Sequence, residues 1–192
     1  MFVLMKQVYY PRVRNNEHSI MDLLVSYNWG QYSRARHEII RILKHFGDPD
    51  PWVEKTFVMG IALVHSCLDN REVIKCCRAL WESEPLNSFE FAIKWVPVDY
   101  WCATDLTAMK HVIDNKIKHR IEKNQTWGMQ VHKRRWQQYH TIEITVFLAV
   151  DIDRKVDLSH PDWIVWVDVL DGETAISLFK PQDIFSIGVS ES

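Results

Sequence analysis

The sequence predicts an α+β chain of two consecutive α/β units, and three observations predict it. Two amphipathic helical stripes, over 33–46 and 70–83, are each flanked by β-prone runs. A third helical stripe over 106–121 opens a second set of strands and helices. Near the end, Asp171-Gly172 stands between two β-prone runs, which is a strong short-range hairpin signal.

Taken in order, DLLVSYN (22–28) is a short β-prone run. SRARHEIIRILKHF (33–46) places Ala35, Ile39, Ile42, Leu43 and Phe46 at helical spacing, with Ser33 as the expected N-cap and Gly47 as the stop. Asp48-Pro49-Asp50-Pro51 forces a turn. WVEKTFVMGIALVHSC (52–67) reads as β-structure, either one long bent strand or a hairpin broken near Gly60. NREVIKCCRALWES (70–83) repeats a helical face through Val73, Ile74, Cys77, Leu80 and Trp81; Pro85 ends it, and FEFAIKWVPV (89–98) returns to strand alternation. Strand, helix, strand, strand, helix, strand is the ferredoxin-like order, expected over 21–98. That fold hosts too many functions to name one.

The second unit is expected over 99–187. Thr104 or Asp105 caps a helix whose stripe is Leu106, Met109, Ile113, Ile117 and Ile121. WGMQVHKRR (127–135) is a strand ending in cations, and YHTIEITVFLAVDI (139–152) has Ile142, Val146, Ala149 and Val150 at helical spacing. KVDLSHPD (155–162) then leads into the Asp171-Gly172 hairpin, and 188–192 read as a tail. Residues 1–20 read as an upstream extension, because Met21 stands just before the apolar run Leu23-Leu24-Val25.

Composition narrows the function classes. The 47% apolar share over 192 residues excludes wholesale disorder, and nine tryptophans point to well-filled cores. The net charge of −2 means that any anionic partner must be met by a local basic patch. Cys67, Cys76, Cys77 and Cys102 form no CxxC pair and no zinc spacing, so they read as reduced thiols of a cytoplasmic protein. No apolar run approaches the ~20 residues of a membrane span, and the N-terminus lacks the order of a secretory signal.

The basic patch has a location. Between Lys110 and Arg135 stand eight cations, Lys110, Lys116, Lys118, Arg120, Lys123, Lys133, Arg134 and Arg135, against Asp114 and Glu122 alone. This surplus of six over 26 residues leaves −8 for the rest of the chain. A basic helix followed by a basic strand end, converging from one unit, suits phosphate contacts, and Lys155 extends the set. Trp127 and Trp136 bracket the strand-end cations, placed either to stack on bases or to pack. Serine-hydrolase, P-loop, dinucleotide-binding and HExxH motifs are all missing, and six scattered glycines make no phosphate-cradling loop. Asp151, Asp153, Asp157 and the His160-Pro161-Asp162 step lack the glycine and terminal glutamate of a calcium loop, so no metal or cofactor is expected. Cys102, near Asp105 and His111, has no third orienting group and reads as structural rather than nucleophilic.

The order VPVDYWCAT (96–104), helix, WGMQVHKRR, helix, KVDLSHPDWIVWVDVLDGETAISL (155–178) resembles the THUMP domain over roughly 96–187. The most telling pieces are Val156-Asp157-Leu158 followed by His160-Pro161-Asp162 and a hairpin, and the Lys133-Arg134 step closing the preceding strand. The resemblance implies a ferredoxin-like module ahead of the THUMP fold, and binding of the tRNA acceptor stem with its single-stranded 3′ end. Relatives with thiouridine synthetase, methyltransferase or pseudouridine synthase activity carry a fused catalytic domain, whereas this sequence ends near the end of the match. The chain is therefore most similar to the stand-alone accessory proteins of tRNA cytidine acetylation. Its expected partners are tRNA and a separate acetyltransferase, and it is expected to be no enzyme itself. It departs from those accessory proteins in reading Arg134-Arg135-Trp136 where they often carry an Arg-Asn step.

Overall fold

A computed structural model describes residues 21–85 and 88–187; the extension read at 1–20 and the tail at 188–192 lie outside the described residues. Strand β1 (Met21–Tyr27) is followed by helix α1 (Tyr32–His45), the hairpin β2 (Trp52–Lys55) and β3 (Ile61–Ser66), helix α2 (Asn70–Ser83) and strand β4 (Ala92–Val98). The strands form a sheet in the order β4-β1-β3-β2, antiparallel throughout. The segment over 52–67 is thus a hairpin, broken where Gly60 takes φ +86°, a value that suits a residue without Cβ. Helix α1 starts one residue before Ser33, so Ser33 is not its cap; Gln31 holds that place without a side-chain bond. Gly47 does close it, at φ +100°, with its N–H on Lys44 O. Helix α2 begins at Asp69, whose carboxylate accepts the N–H groups of Arg71 and Glu72.

The chain then crosses to a second sheet: β5 (Tyr100–Ala103), α3 (Leu106–Val112), β6 (Thr126–Arg134), α4 (Thr141–Ala149), β7 (Lys155–Val156), β8 (Trp163–Leu170) and β9 (Glu173–Phe179). Its order is β5-β9-β8-β6-β7, with β6 parallel to β7 and β8. Asp105, not Thr104, caps α3. Below it the helix widens into a π turn (Ile113–Ile117) and then tightens into a 3-10 turn (Lys118–Arg120). The sequence accounts for this. Met109, Ile113, Ile117 and Ile121 are spaced by fours, which on a 3.6-residue helix drifts roughly 40° per step. A wider turn takes the drift back, and all four side chains are fully buried.

The last described strand, β10 (Phe185–Ser186), returns to the first sheet and pairs with β4. Phe185 fills the core under α1 and α2 against Phe89, with ring centroids 4.8 Å apart. The far end of the span expected for the second unit therefore belongs to the core of the first.

The two sheets stack face to face. Leu23 and Val25 point at α1 and α2, whereas Leu24 joins Leu63, Val96, Trp166, Leu170 and Phe179 between the sheets. Val165, Val167 and Val169 point the other way, at α3 and α4. Strands covered on both faces explain why Leu23-Leu24-Val25 and Trp163–Leu170 read as nearly continuous apolar runs rather than alternating ones. The layers run helices, sheet, sheet, helices. Among the described residues no helix is long and apolar enough to cross a membrane.

Candidate nucleic-acid interface

The predicted cations do not converge. Helix α3 descends from Asp105, beside the β8–β9 turn, so its basic residues gather toward the start of β6, whereas Lys133, Arg134 and Arg135 lie at its end. Arg120 sits 3.6 Å from Asp99, whose carboxylate accepts the Leu178 N–H; through Val165 that level corresponds to Met129 on β6. Met129 and Arg134 are therefore roughly 17 Å apart along the strand. Periodicity gave both elements correctly, but it carries no information on which end of a sheet each reaches.

The individual side chains divide further. Lys110 is largely buried and paired with Asp114 at 2.8 Å and Asp151 at 2.7 Å. Burial alone would lower its pKa, but these carboxylates hold the ammonium above the usual lysine value. Lys110 therefore ties α3 to the end of α4 and is not free to meet a phosphate. Lys116 is exposed, Lys118 lies 3.5 Å from Asp114, and Lys155 is exposed on the short edge strand opposite Thr126. With Arg120 and the exposed Lys123 they make one basic end.

Lys133 donates to Tyr139 O at 2.6 Å and braces the loop into α4. Trp136 packs edge-on against Tyr139, and Trp127 is buried, with its indole N–H on Arg154 O. Trp127 is thus core and offers no face to a base. Arg135 is the outermost cation of the run. It is exposed, stands at φ +62°, and donates through one guanidinium nitrogen to Phe57 O at 2.7 Å, which reaches the β2–β3 loop of the other sheet.

That contact leads to residues the sequence reading missed. Arg134 points between the sheets, with Nε 3.3 Å from the buried Asp168 carboxylate, which also accepts the Trp166 indole N–H at 2.8 Å. Lys94, from β4, places its ammonium 4.3 Å from the centre of the same Trp166 ring. Burial pushes the Lys94 pKa down, Asp168 opposes, and Arg134 lowers it further. At the same end, on the helix side of the first sheet, the Arg34 guanidinium lies over Phe91 at 5.6 Å and the Lys55 ammonium over Tyr32 at 4.7 Å. Arg34, His37, Arg41 and Lys44 are all exposed on α1, whose only carboxylate, Glu38, turns inward. The i, i+7, i+10 recurrence of Arg34, Arg41 and Lys44 was readable in the sequence. A lysine inside the apolar run of β4 was the second available signal.

His132 faces the same seam. It stacks on Trp166 with centroids 4.1 Å apart, and its Nε2 is buried without a hydrogen-bond partner among the described residues. Burial lowers its pKa, Asp168 opposes, and Lys94 and Arg134 lower it further. The folded protein thus resists a proton that the unfolded chain accepts near pH ~6.5. Stability is full above that value and falls as pH drops through it toward the folded pKa. His132→Phe, which keeps the stacked ring, should melt with a flatter acid-side profile than wild type between pH 7 and 5; parallel profiles would contradict the assignment.

The acids that invited a metal reading have other roles. Asp157 Oδ1 accepts the N–H groups of Ser159 and His160, both at 2.9 Å, and Asp162 accepts the Thr126 N–H at 2.7 Å. Together they fold the Val156–Asp162 corner over β6, where a Cβ at Gly128 would stand 3.2 Å from Asp157 O. Among the described residues no three His, Cys, Asp or Glu side chains are grouped to hold a metal ion. Burial, then Asp105, pushes the Cys102 thiol up to about 11, so little thiolate forms near neutral pH.

No protein-family model matches the sequence, and no curated protein matches it. Solved structures share the fold. PH1313 from Pyrococcus horikoshii Ot3 is 12% identical over 83% of this chain and 54% of its own, with a TM-score of 0.53. TrmN from Thermus thermophilus is 13% identical over 84% of this chain and 47% of its own, with a TM-score of 0.57. The chain thus spans about half the length of each.

Proposed function

We propose that this chain is a THUMP-type RNA-binding protein, with a ferredoxin-like N-terminal module, that acts in tRNA modification. In this reading it grips the acceptor stem and 3′ end and presents them to a separate enzyme, an acetyltransferase, with no catalytic chemistry of its own. The observation that carries the reading is the run of cations at one end of the two sheets: Arg134, Arg135 and Lys94 at the seam, and Arg34 and Lys55 at the same end on the α1 side of the first sheet. The THUMP resemblance of residues 96–187 is what points to tRNA, and TrmN and PH1313 share the fold.

Arg135 and Arg34 meet phosphates at this end, while Lys116, Lys118, Arg120 and Lys155 meet them at the other. The ends lie roughly 17 to 26 Å apart along β6, from Arg134 to the levels of Arg120 and Lys155, so they engage separate stretches of one folded RNA. Such contacts position the RNA; shape and the unpaired end discriminate. Fluorescence anisotropy should rank intact tRNA tightest, 3′-trimmed tRNA next and a plain duplex of equal length weakest. Equal affinity for all three would remove the tRNA assignment.

A protein-interaction module whose basic face docks an acidic partner is the second reading. Helix α4 favours it: Ile142 and Val146, with Val150 just past its end, stay exposed in one stripe. This reading predicts negligible binding of every RNA at physiological salt and tight, nuclease-resistant co-purification with one protein.

A further inference from the structure

We propose that Trp29, Phe57 and Met59 form a platform on which unpaired nucleotides of the bound RNA stack. The proposal rests on the RNA-binding reading and goes beyond it by placing the base contacts on the N-terminal module, next to Arg135 at the end of the basic segment. The three residues are 76%, 69% and 70% exposed at one end of the first sheet. They come from two loops held side by side, since the Tyr27 N–H donates to Gly60 O at 2.9 Å.

Neither loop is loose. After β1 the chain turns through Gly30 at φ +77°, closed by the Gln31 N–H on Asn28 O. In the β2–β3 loop Thr56 Oγ1 lies 2.9 Å from Val58 O and 3.0 Å from Ile61 O, and it accepts the Val58 N–H. Val58 points inward to the seam between the sheets, which turns its neighbours Phe57 and Met59 outward. Arg135 then clamps Phe57 O from the second sheet. The backbone is anchored while the large apolar side chains stay in water, where they add nothing to the core.

What surrounds them identifies the occupant. Lys55 and Arg34 already lie over the faces of Tyr32 and Phe91 at this end, and Arg135 reaches its rim. An apolar patch with cations on its flanks matches a nucleotide, with its π-face on the patch and its phosphate toward the charge. Paired bases show no free faces, so the ligand is an unpaired stretch. An apolar protein surface would meet the same cations without a partner for their charge.

The test compares a short RNA hairpin bearing a single-stranded tail with the same hairpin blunt-ended, on the full chain. Replacing Trp29, Phe57 and Met59 together by Ala should weaken the tailed RNA about tenfold or more, leave the blunt RNA within about twofold, and keep the salt slope unchanged. Trp29→Phe should retain much of the binding that Trp29→Ala loses. An equal loss on both RNAs, or none on either, overturns the platform while leaving the RNA reading intact. A wild-type dimer that the triple variant dissolves also overturns it, by making the tip a protein contact. Wild-type protein that binds neither RNA removes the RNA reading, and the platform with it.

Discussion

Glu38→Ala should destabilise the chain by roughly 3–5 kcal/mol, the largest loss expected from a single substitution. The Glu38 carboxylate is buried and accepts three consecutive backbone N–H groups: Glu90 at 2.9 Å, Phe91 at 3.1 Å and Ala92 at 2.8 Å. Charge-assisted bonds of this kind are the stronger ones, and alanine would take the acceptor from all three donors at once. The same bonds hold the strand entry against α1, and so place Phe91 beneath Arg34. At roughly 2–4 °C per kcal/mol the melting temperature should fall by about 10 °C. Glu38→Gln should lose less, because one side-chain oxygen can still accept. A melting temperature within about 2 °C of wild type for the alanine variant would show that the chain entry to β4 is held some other way.

Arg135→Gly combined with Arg34→Ala should have the largest effect on RNA binding, about tenfold or more, with little change in stability. Arg135 stands at φ +62°, where glycine is at ease and a residue with Cβ is strained by about 1 kcal/mol. Removing that strain offsets the lost hydrogen bond to Phe57 O. Separate melting and binding curves on the one variant distinguish the contribution of Arg135 to folding from its contribution to binding.

Much of the secondary structure was legible because the two periodicities are local. The stripe over 70–83 matches α2, and the cation-ended strand over 127–135 matches β6 within a residue. Ser33 misled because cap preference is weak beside the packing of Ala35, Ile39 and Ile42, which starts the helix earlier. The hairpin over 52–67 stayed open because one glycine serves a bulge and a turn equally until the partner strand is known. A two-residue strand such as β10 leaves no period to read, so the return of Phe185 to the first core was invisible.

The candidate site was legible by composition and illegible by place. The basic segment 110–135 divides between two ends of one sheet, and Lys110 and Lys133 are committed to Asp114, Asp151 and Tyr139. Lys94, Lys55 and Arg34 come from strands and a helix more than 30 residues away in sequence, joined to Arg134 and Arg135 only by the stacking of the sheets. The apolar runs at 23–25 and 163–170 did carry a hint of that stacking, since strands buried on one face alone would alternate.

The most direct measurement is tRNA affinity as a function of salt for the wild type and for Arg135→Gly/Arg34→Ala. If these cations meet phosphates, the wild type loses affinity linearly in log–log form, and the double variant has a slope shallower by about two, one for each lost contact. Identical slopes in the two proteins, with the variant folded, would contradict an RNA interface at the meeting of the two sheets.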